Sequence, residues 1–212
     1  MSLRIHEIFF SLQGETSRTG LPTAFVRLTG CPLRCGYCDT AYAFQGGETL
    51  ELDEILRHVE ATGAHYVTVT GGEPLAQKDC LPLVKMLSNA GHDVSLETGG
   101  SLDIAGIDPR VSVILDVKTP GSGEVAKNLW SNLRHLKPSD EVKFVLCNRE
   151  DYEWARQILT EHGIAGKCPV LFSPAYSRLA ARDLAEWILA DRLPVRFQLQ
   201  LHKALWGEEA GR

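Results

Sequence analysis

The sequence predicts an α/β fold, an incomplete (open) parallel β/α barrel with about six strands. Apolar strand patterns alternate with helical patterns along the 212 residues, and such alternation gives right-handed crossovers and a mainly parallel sheet. A closed eight-fold barrel typically takes about 250 residues, more than this chain has. Two connections, residues 99–110 and 118–140, show too little helical pattern for full helices. The barrel is therefore predicted to stay open.

Each element has its own local pattern, taken here in chain order. Residues 4–10 form a β-branched and aromatic run and residues 24–28 a second apolar run, so both are predicted strands. In residues 52–62, apolar residues spaced at i, i+3, i+4 and i+7 predict an amphipathic helix that ends at Gly63. The series continues with strand 66–70, a helix between Asp79 and Gly91, strands 94–98, 111–117 and 142–146, helix 150–162, strand 170–173, helix 178–190 and strand 195–201.

The composition is that of an ordinary globular domain. Hydrophobic residues make up 44% and charged residues 23% of the chain, which argues against disorder. No apolar run approaches the roughly 18 residues of a membrane span, so one cytoplasmic domain over residues 1–212, without a membrane partner, is predicted. The net charge of −5 gives no broad basic surface for nucleic acid. Three of the six cysteines are predicted core residues: Cys80, Cys147 and Cys168.

Three other cysteines, Cys31, Cys35 and Cys38, stand within eight positions after an apolar strand. Closely spaced thiols in a reducing compartment indicate a metal site. A structural zinc site has four ligands, yet the next His and Cys are His58 and Cys80. Three cysteines fit a 4Fe-4S cluster in which one iron has no protein ligand and can bind a cofactor or substrate. A zinc loop completed from far away and metal-free thiols are the alternatives.

Polar residues follow the ends of several predicted strands, where parallel α/β sheets gather their ligand groups. Gly71 and Gly72 follow strand 66–70 and let the backbone approach a ligand closely, and Glu73 offers a carboxylate to an ammonium group. A plain turn is the alternative. Other strand ends offer groups that can bind hydroxyls or carboxylates, or else face solvent: Glu97, Asp116, Lys118 and Ser173.

The cysteine spacing, with Tyr37 before the last cysteine, resembles the signature of radical S-adenosylmethionine enzymes. In that family the open iron of a 4Fe-4S cluster binds S-adenosylmethionine, and one electron cleaves it to a radical that abstracts a hydrogen atom. The resemblance implies that Gly71, Gly72 and Glu73 receive the methionine part of the cofactor. The implied cofactor site also includes Tyr37, Glu97, Asp116, Lys118 and Ser173.

Further stretches resemble the 7-carboxy-7-deazaguanine synthase family: Leu12-Gln13-Gly14-Glu15, Arg27, Cys38-Asp39-Thr40 and Gln200-Leu201-His202-Lys203. This resemblance implies a carbon–nitrogen lyase. Its reaction would be ring contraction of 6-carboxy-5,6,7,8-tetrahydropterin to 7-carboxy-7-deazaguanine with loss of ammonia, a step toward queuosine and other 7-deazapurines. It also implies Mg²⁺ bound by Thr40, a homodimer, and a reductant such as a flavodoxin or ferredoxin.

The residue types suit a carboxylated pterin. A buried, unpaired Arg is unfavourable, so Arg27 within an apolar strand is predicted to bind the substrate carboxylate. Gln13, Glu15 and Gln200 are predicted to bind the pyrimidine edge, and His202 the substrate, unless it is a surface residue. Three further positions complete the predicted substrate site: Leu12, Gly14 and Thr70.

Two positions depart from the family pattern, and other functions compete. Thr16 stands where many members have Gly, and Asp116-Val117-Lys118 replaces the Ser-Pro-Lys of some members. Within the superfamily, the alternative is an activase that installs a glycyl radical on a partner protein. A dinucleotide-binding oxidoreductase is a second alternative, because residues 121–126 match G-x-G-x-x-A. A non-catalytic zinc module is the third.

Overall fold

The computed structural model describes residues 1–207, 209 and 211. Its sheet has nine strands in the order β3-β1-β2-β4-β5-β6-β7-β8-β9. The strands are β1 (Ser2–Leu12), β2 (Pro22–Leu28), β3 (Glu48–Glu51), β4 (Tyr66–Gly71), β5 (Asp93–Thr98), β6 (Ser112–Asp116), β7 (Glu141–Leu146), β8 (Val170–Pro174) and β9 (Arg196–Phe197). The helices are α1 (Leu52–Ala61), α2 (Cys80–Asn89), α3 (Arg149–His162), α4 (Ala181–Asp191) and α5 (Leu201–Trp206).

The sheet is parallel except at one edge. Every neighbouring pair from β2 through β4 to β9 is parallel, whereas β1 pairs antiparallel with both β2 and β3. Among the described residues, β3 and β9 are edge strands, so the sheet does not close. The parallel part has six full strands and the two-residue β9. The predicted open parallel β/α architecture is confirmed.

Helices cover the outer face of the sheet in two groups. Helices α1 and α2 pack on the first half of the sheet, and their buried apolar residues include Ile55 and Leu83. Helices α3 and α4 pack on the second half through residues such as Tyr152 and Leu184. The prediction that Cys80, Cys147 and Cys168 are core residues is confirmed, because all three are buried. Among the described residues, no helix is both long and apolar enough to cross a membrane.

The end of the chain differs from the prediction. The predicted strand over residues 195–201 is confirmed only at Arg196–Phe197, where β9 pairs with β8; its extent is wrong, because Gln200 precedes α5. The side chain of Gln198 donates to the carbonyl oxygen of Gly14 at 3.1 Å and to Thr19 Oγ1 at 2.8 Å. These bonds draw the chain off the sheet and over the loop after β1. The apolar alternation of residues 195–201 predicts a strand, but a local pattern gives no information about this long-range contact.

Smaller differences occur elsewhere. The predicted helix 178–190 begins only at Ala181, because residues 175–179 form a turn in which the N–H groups of Arg178 and Leu179 donate to the carbonyl of Ala175. Strand β3 is absent from the prediction; it is four residues long, and β1 supplies its partner.

The two connections without predicted helices indeed lack them. After β5 the chain makes only turns, and after β6 it makes three short 3₁₀ turns, at Pro120–Ser122, Val125–Lys127 and Trp130–Arg134. The dinucleotide-binding alternative is therefore wrong. A G-x-G-x-x-A fingerprint binds pyrophosphate at the N-terminus of a long helix, and residues 121–126 begin no such helix.

Candidate active site

A cavity of about 650 Å³ opens where the parallel strands end. Glu73 and Ser173 are the predicted site residues outside its described lining. All other predicted site residues line the cavity: Leu12, Gln13, Gly14, Glu15, Arg27, Cys31, Cys35, Tyr37, Cys38, Thr40, Thr70, Gly71, Gly72, Glu97, Asp116, Lys118, Gln200 and His202. Residues up to 190 positions apart are thus brought to one place. Parallel strands contribute their carboxyl ends, whereas residues 12–15 lie at the end of the antiparallel β1 and just after it, and Gln200 and His202 lie at the start of α5.

The cysteine loop follows β2 and forms one wall of the cavity. Cys31, Cys35 and Cys38 are each half-buried, and the loop turns through a hydrogen bond from Cys38 N to Cys35 O at 3.1 Å. The N–H of Leu33 donates to Cys31 Sγ at 3.4 Å. Burial raises the pKa of the Cys31 thiol, and it raises that of Cys35 to about 11. A coordinated metal is what converts such thiols to thiolates.

The separation of the three sulfur atoms argues against a compact zinc site. Sulfurs that share one zinc at about 2.3 Å lie roughly 3.8 Å apart in a tetrahedron. Among the described residues, the one group of three His, Cys, Asp or Glu ligand atoms within 4.8 Å of one another is Glu15, Asp39 and His202, so the three cysteines do not form such a group. Their wider spacing suits a cluster of several irons better than a single ion.

Gly71 and Gly72 allow the end of β4 to pack directly on the start of the cysteine loop. A Cβ on Gly71 would lie 2.4 Å from the carbonyl oxygen of Leu28, and one on Gly72 would lie 2.2 Å from that of Gly30. The N–H of Gly72 donates to Leu28 O at 3.1 Å. These glycines are therefore required by backbone packing, and their backbones also line the cavity.

The side chain of Glu73 has protein partners for its carboxylate. It accepts hydrogen bonds from Thr98 Oγ1 at 2.9 and 3.0 Å, from the N–H of Gly99 at 2.8 Å and from the N–H of Leu75 at 3.1 Å. Glu73 is fully buried, and burial raises its pKa. The carboxylate thus ties the loop after β4 to the end of β5. Its contact with a cofactor, like that of buried Ser173 in β8, stays a prediction.

A polar layer of five side chains lines the same cavity as the cysteine loop; it consists of Gln13, Glu15, Thr70, Glu97 and Lys143. Gln13 Nε2 donates to Glu97 Oε1 at 3.2 Å, and its Oε1 accepts from Glu15 N at 2.9 Å. The hydroxyl of Thr70 donates to Glu97 Oε2 at 2.9 Å. Burial raises the pKa of Glu97. The layer therefore offers oriented amide and carboxyl groups to a ligand.

Lys143 is a member of this layer that the sequence analysis missed. Its Nζ makes an ion pair with the carboxylate of Glu15, and both side chains line the cavity. Burial alone would raise the pKa of Glu15, but the charges of Lys143 and His202 outweigh it and lower this pKa to about 2. The signal was present: a Lys stands inside the wholly buried run of β7, just as Arg27 stands inside β2.

Arg27 has a protein partner for its charge. Its Nε donates to Glu7 Oε1 at 2.7 Å, and the hydroxyl of Tyr42 donates to the same oxygen at 2.9 Å. The guanidinium lies 5.7 Å from the ring centre of Phe9, which stacks on Phe25. Arg27 is therefore paired within the protein, so its place in an apolar strand does not by itself require a substrate carboxylate. Binding of a substrate carboxylate by Arg27 stays a prediction.

The beginning of α5 lies over the polar layer. Gln200 Nε2 donates to Glu15 Oε1 at 2.9 Å and to Asp39 Oδ2 at 3.2 Å. His202 Nε2 lies 3.7 Å from Glu15 Oε1 and 3.9 Å from Asp39 Oδ2. His202 is therefore inside the site rather than at an exposed strand edge. Thr40 follows Asp39, and its Oγ1 lies 3.8 Å from Cys38 Sγ.

Asp116 and Lys118 form the side of the cavity at the end of β6. Lys118 Nζ donates to Asp116 Oδ2 at 2.7 Å, and the amide of Asn128 bonds both the N–H and the carbonyl of Lys118, at 2.9 and 2.8 Å. The buried Oδ1 of Asp116 and the hydroxyl of Tyr37 have no hydrogen-bond partner among the described residues. Such unpaired polar atoms suit a ligand with hydroxyl or amino groups.

Comparison with known proteins decides the family. Residues 25–117 match the model of the Radical SAM superfamily. Over 98% of the chain, the sequence is 48% identical to the 7-carboxy-7-deazaguanine synthase of Chlorobaculum tepidum and 44% identical to that of Koribacter versatilis, and it covers 96% and 98% of these proteins. The chain belongs to the 7-carboxy-7-deazaguanine synthase family.

Solved structures agree with this membership. The crystal structure of QueE from Escherichia coli superposes with a TM-score of 0.78 at 25% identity and covers 94% of both chains. TYW1 with a lysine-pyruvate adduct shares the fold alone, with a TM-score of 0.56 at 14% identity over 80% of this chain and 73% of that one. Membership in the Radical SAM superfamily implies a 4Fe-4S cluster and S-adenosylmethionine, and the three cysteines that would hold the cluster are present.

Proposed function

We propose that this member of the 7-carboxy-7-deazaguanine synthase family converts 6-carboxy-5,6,7,8-tetrahydropterin to 7-carboxy-7-deazaguanine with loss of ammonia, in 7-deazapurine biosynthesis. Relatives of that name match over nearly the whole chain, which supports the reaction. The observation that carries the proposal in this chain is the polar layer, which lines the same cavity as the cysteine loop. It offers donors and acceptors where a flat heterocycle would lie next to the cofactor.

The cofactors have separate places in the proposal. Cys31, Cys35 and Cys38 would hold the 4Fe-4S cluster, and the unpaired Asp116 oxygen and Tyr37 hydroxyl would bind polar groups of S-adenosylmethionine. When bound, cluster and S-adenosylmethionine supply the radical that removes a hydrogen atom from the substrate. A radical of this kind requires a site from which bulk water is excluded.

Substrate recognition would fall to other residues of the same cavity. Arg27 would bind the pterin carboxylate with the guanidinium nitrogens that do not bond Glu7, beside the stacked Phe9 ring. Gln13 would bind the pyrimidine edge, and Glu97, which accepts from Gln13 Nε2, keeps its predicted place among the cofactor contacts. The remaining predicted substrate contacts keep their roles in this proposal: Leu12, Gly14, Glu15, Thr70, Gln200 and His202.

The proposal includes Mg²⁺ and partners. The hydroxyl of Thr40 lines the cavity, and one hydroxyl with a substrate carboxylate and waters suits the oxygen preference of Mg²⁺. The chain would act as a single cytoplasmic domain in a homodimer and take electrons from a flavodoxin or ferredoxin. These statements depend on the family pattern.

Product analysis tests the proposal. The anaerobically prepared protein, with reductant, S-adenosylmethionine, Mg²⁺ and the carboxylated pterin, should form a species with the mass of 7-carboxy-7-deazaguanine. The Cys38→Ala variant and a reaction without S-adenosylmethionine should form none. Formation of 5′-deoxyadenosine without the deazaguanine product would contradict the proposal. It would instead favour another hydrogen donor, such as the glycine of a partner protein.

A further inference from the structure

The connection between β6 and β7 contacts the cysteine loop instead of forming a crossover helix. Its first part, residues 119–124, is called the 119–124 segment below. It contains the 3₁₀ turn Pro120–Ser122 and the left-handed Gly123, with φ of 80°. The same residues begin the G-x-G-x-x-A match of the sequence, so that pattern requires another explanation. The contacts of the 119–124 segment provide this explanation.

Two backbone N–H groups of the cysteine loop donate hydrogen bonds to the 119–124 segment. The N–H of Gly36 donates to the carbonyl oxygen of Ser122 at 2.9 Å. The N–H of Arg34 donates to the carboxylate of Glu124 at 2.6 Å. Both donors belong to the stretch between the first and last cysteine, so the segment fixes the backbone that separates the three thiols. On the other side of the loop, Arg178 donates to the carbonyl of Gly36.

The segment is itself held by a buried carboxylate. Asp151, only 1% exposed, accepts from Gly121 N at 2.7 Å, from Thr119 Oγ1 at 3.0 Å and from Cys147 N at 2.9 Å. A Cβ on Gly121 would lie 2.4 Å from Asp151 Oδ2, so only Gly fits this approach. Asp151 thus pairs the backbone N–H groups of Gly121 and Cys147, while the hydroxyl of Thr119 also lies 3.1 Å from Val145 O, and this network makes the arrangement rigid.

The segment also holds its own last residue. Ser122 Oγ donates to the carbonyl of Thr119 at 2.6 Å and accepts from the N–H of Glu124 at 3.0 Å. These bonds fix the backbone at Glu124, whose carboxylate accepts from the Arg34 N–H. A chain of hydrogen bonds runs from Asp151 in α3 through the segment to the cysteine loop.

We propose that Glu124 is a positioning residue for the iron–sulfur cluster: through the Arg34 N–H it keeps the three thiols at the spacing that retains the cluster. The Asp151-anchored segment provides the rigid base for this contact. The inference rests on the cluster of the proposed function but not on the identity of the substrate. Glu124 touches neither cofactor nor substrate in this account, so its effect is on loop geometry.

A pair of variants at Glu124 tests it. Glu124→Gln keeps an acceptor oxygen for the Arg34 N–H, whereas Glu124→Ala removes it. Iron loss from the anaerobic holoprotein to a ferrous chelator should be roughly three- to tenfold faster in Glu124→Ala, as expected for loss of one partly solvated hydrogen bond to a charged acceptor. Glu124→Gln should stay within about twofold of the parent, because a neutral acceptor still bonds.

Spectroscopy and a second variant make the test specific. The electron paramagnetic resonance spectrum of the reduced Glu124→Ala cluster should broaden or shift, while Glu124→Gln should match the parent. Gly121→Ala should displace the 119–124 segment, because its Cβ would clash with Asp151. It should therefore speed iron loss and alter the spectrum as Glu124→Ala does. Glu186→Ala, on the exposed face of α4, is the matched control without effect. The folded content of every variant is checked by circular dichroism.

Two outcomes would overturn the inference. One is an iron-loss rate and spectrum of Glu124→Ala equal to those of the parent, and the other is a Glu124→Gln variant as impaired as Glu124→Ala. The test separates this inference from the proposed function. A parent protein that holds its cluster but makes no deazaguanine contradicts the proposed function alone, while iron retention still decides the role of Glu124.

Discussion

The ion pair between Lys143 and Glu15 gives the most quantitative prediction. The two side chains are only 9% and 19% exposed, and Lys143→Met removes the charge while keeping most of the volume. The pKa of Glu15 falls from 4.5 to about 2 because the charges of Lys143 and His202 and the hydrogen bonds of Lys143 and Gln200 outweigh burial. This net change corresponds to about 3 kcal/mol, at about 1.4 kcal/mol for each tenfold change in equilibrium. Loss of one partner of a buried pair destabilises proteins by roughly 3–5 kcal/mol. Lys143→Met should therefore lower stability by about 3 kcal/mol.

The pH dependence follows from the direction of the pKa change. Glu15 is ionised in the folded protein down to about pH 2, whereas the unfolded chain takes up the proton near pH 4.5. The stabilisation is thus fully present above about pH 4.5 and is lost as pH falls toward 2. Burial lowers the pKa of Lys143, but Glu15 and its neighbours outweigh it and raise that pKa above its usual value. The difference between parent and variant should therefore be constant from pH 6 to 8.

Anaerobic thermal unfolding measures the effect. For a chain of this size, about 3 kcal/mol corresponds to a fall in Tm of about 6–12 °C. The exposed pair of Arg182 and Glu186 is the matched control, and Arg182→Met should lower Tm by less than about 2 °C. Glu15→Gln should also destabilise, and the double variant should lose less than the sum of the single losses. Additive losses, or a Lys143→Met variant as stable as the control, would refute the pairing.

Three further predictions concern the wall and the substrate side of the cavity. Cys38→Ala should contain far less iron than the roughly four per chain expected for a cubic cluster, by iron assay, while circular dichroism stays unchanged; an active variant would show the ligand assignment to be wrong. Arg27→Ala should weaken pterin binding by roughly tenfold or more and S-adenosylmethionine binding by less than about twofold, by calorimetry; equal losses would count against its role. Gly72→Ala would place a Cβ 2.2 Å from Gly30 O and should lower Tm and iron content together; parent-like values would exclude the close packing.

Local patterns suffice for much of the fold. Period-3.6 and β-branched runs predict α1 and β4, and alternation predicts the parallel sheet. Because parallel strands end on one side, residues such as Thr70, Glu97 and Asp116 were expected to lie together, and all three line one cavity. The cysteine triad is informative because its chemistry depends on spacing within one short loop.

Long-range partners were beyond sequence reasoning. The Glu15 contact with Lys143 spans 128 positions, and nothing in either local pattern names the other residue. The inward turn of Glu73 depends on donors at the end of β5. The conformation at the start of residues 121–126 depends on the hydrogen bond from Gly121 N to Asp151 in α3. In each case a polar side chain is oriented by a partner that only the folded chain supplies.

The three-cysteine cluster with an open iron is the central claim, and spectroscopy of the reduced holoprotein addresses it most directly. Electron–nuclear double resonance with S-adenosylmethionine labelled with ¹⁵N at its amino group and ¹⁷O at its carboxylate should show both nuclei coupled to cluster iron, and the parent spectrum should change when this cofactor is added. A paramagnetic cluster that does not respond to S-adenosylmethionine, or a preparation with zinc and no iron, would contradict the claim.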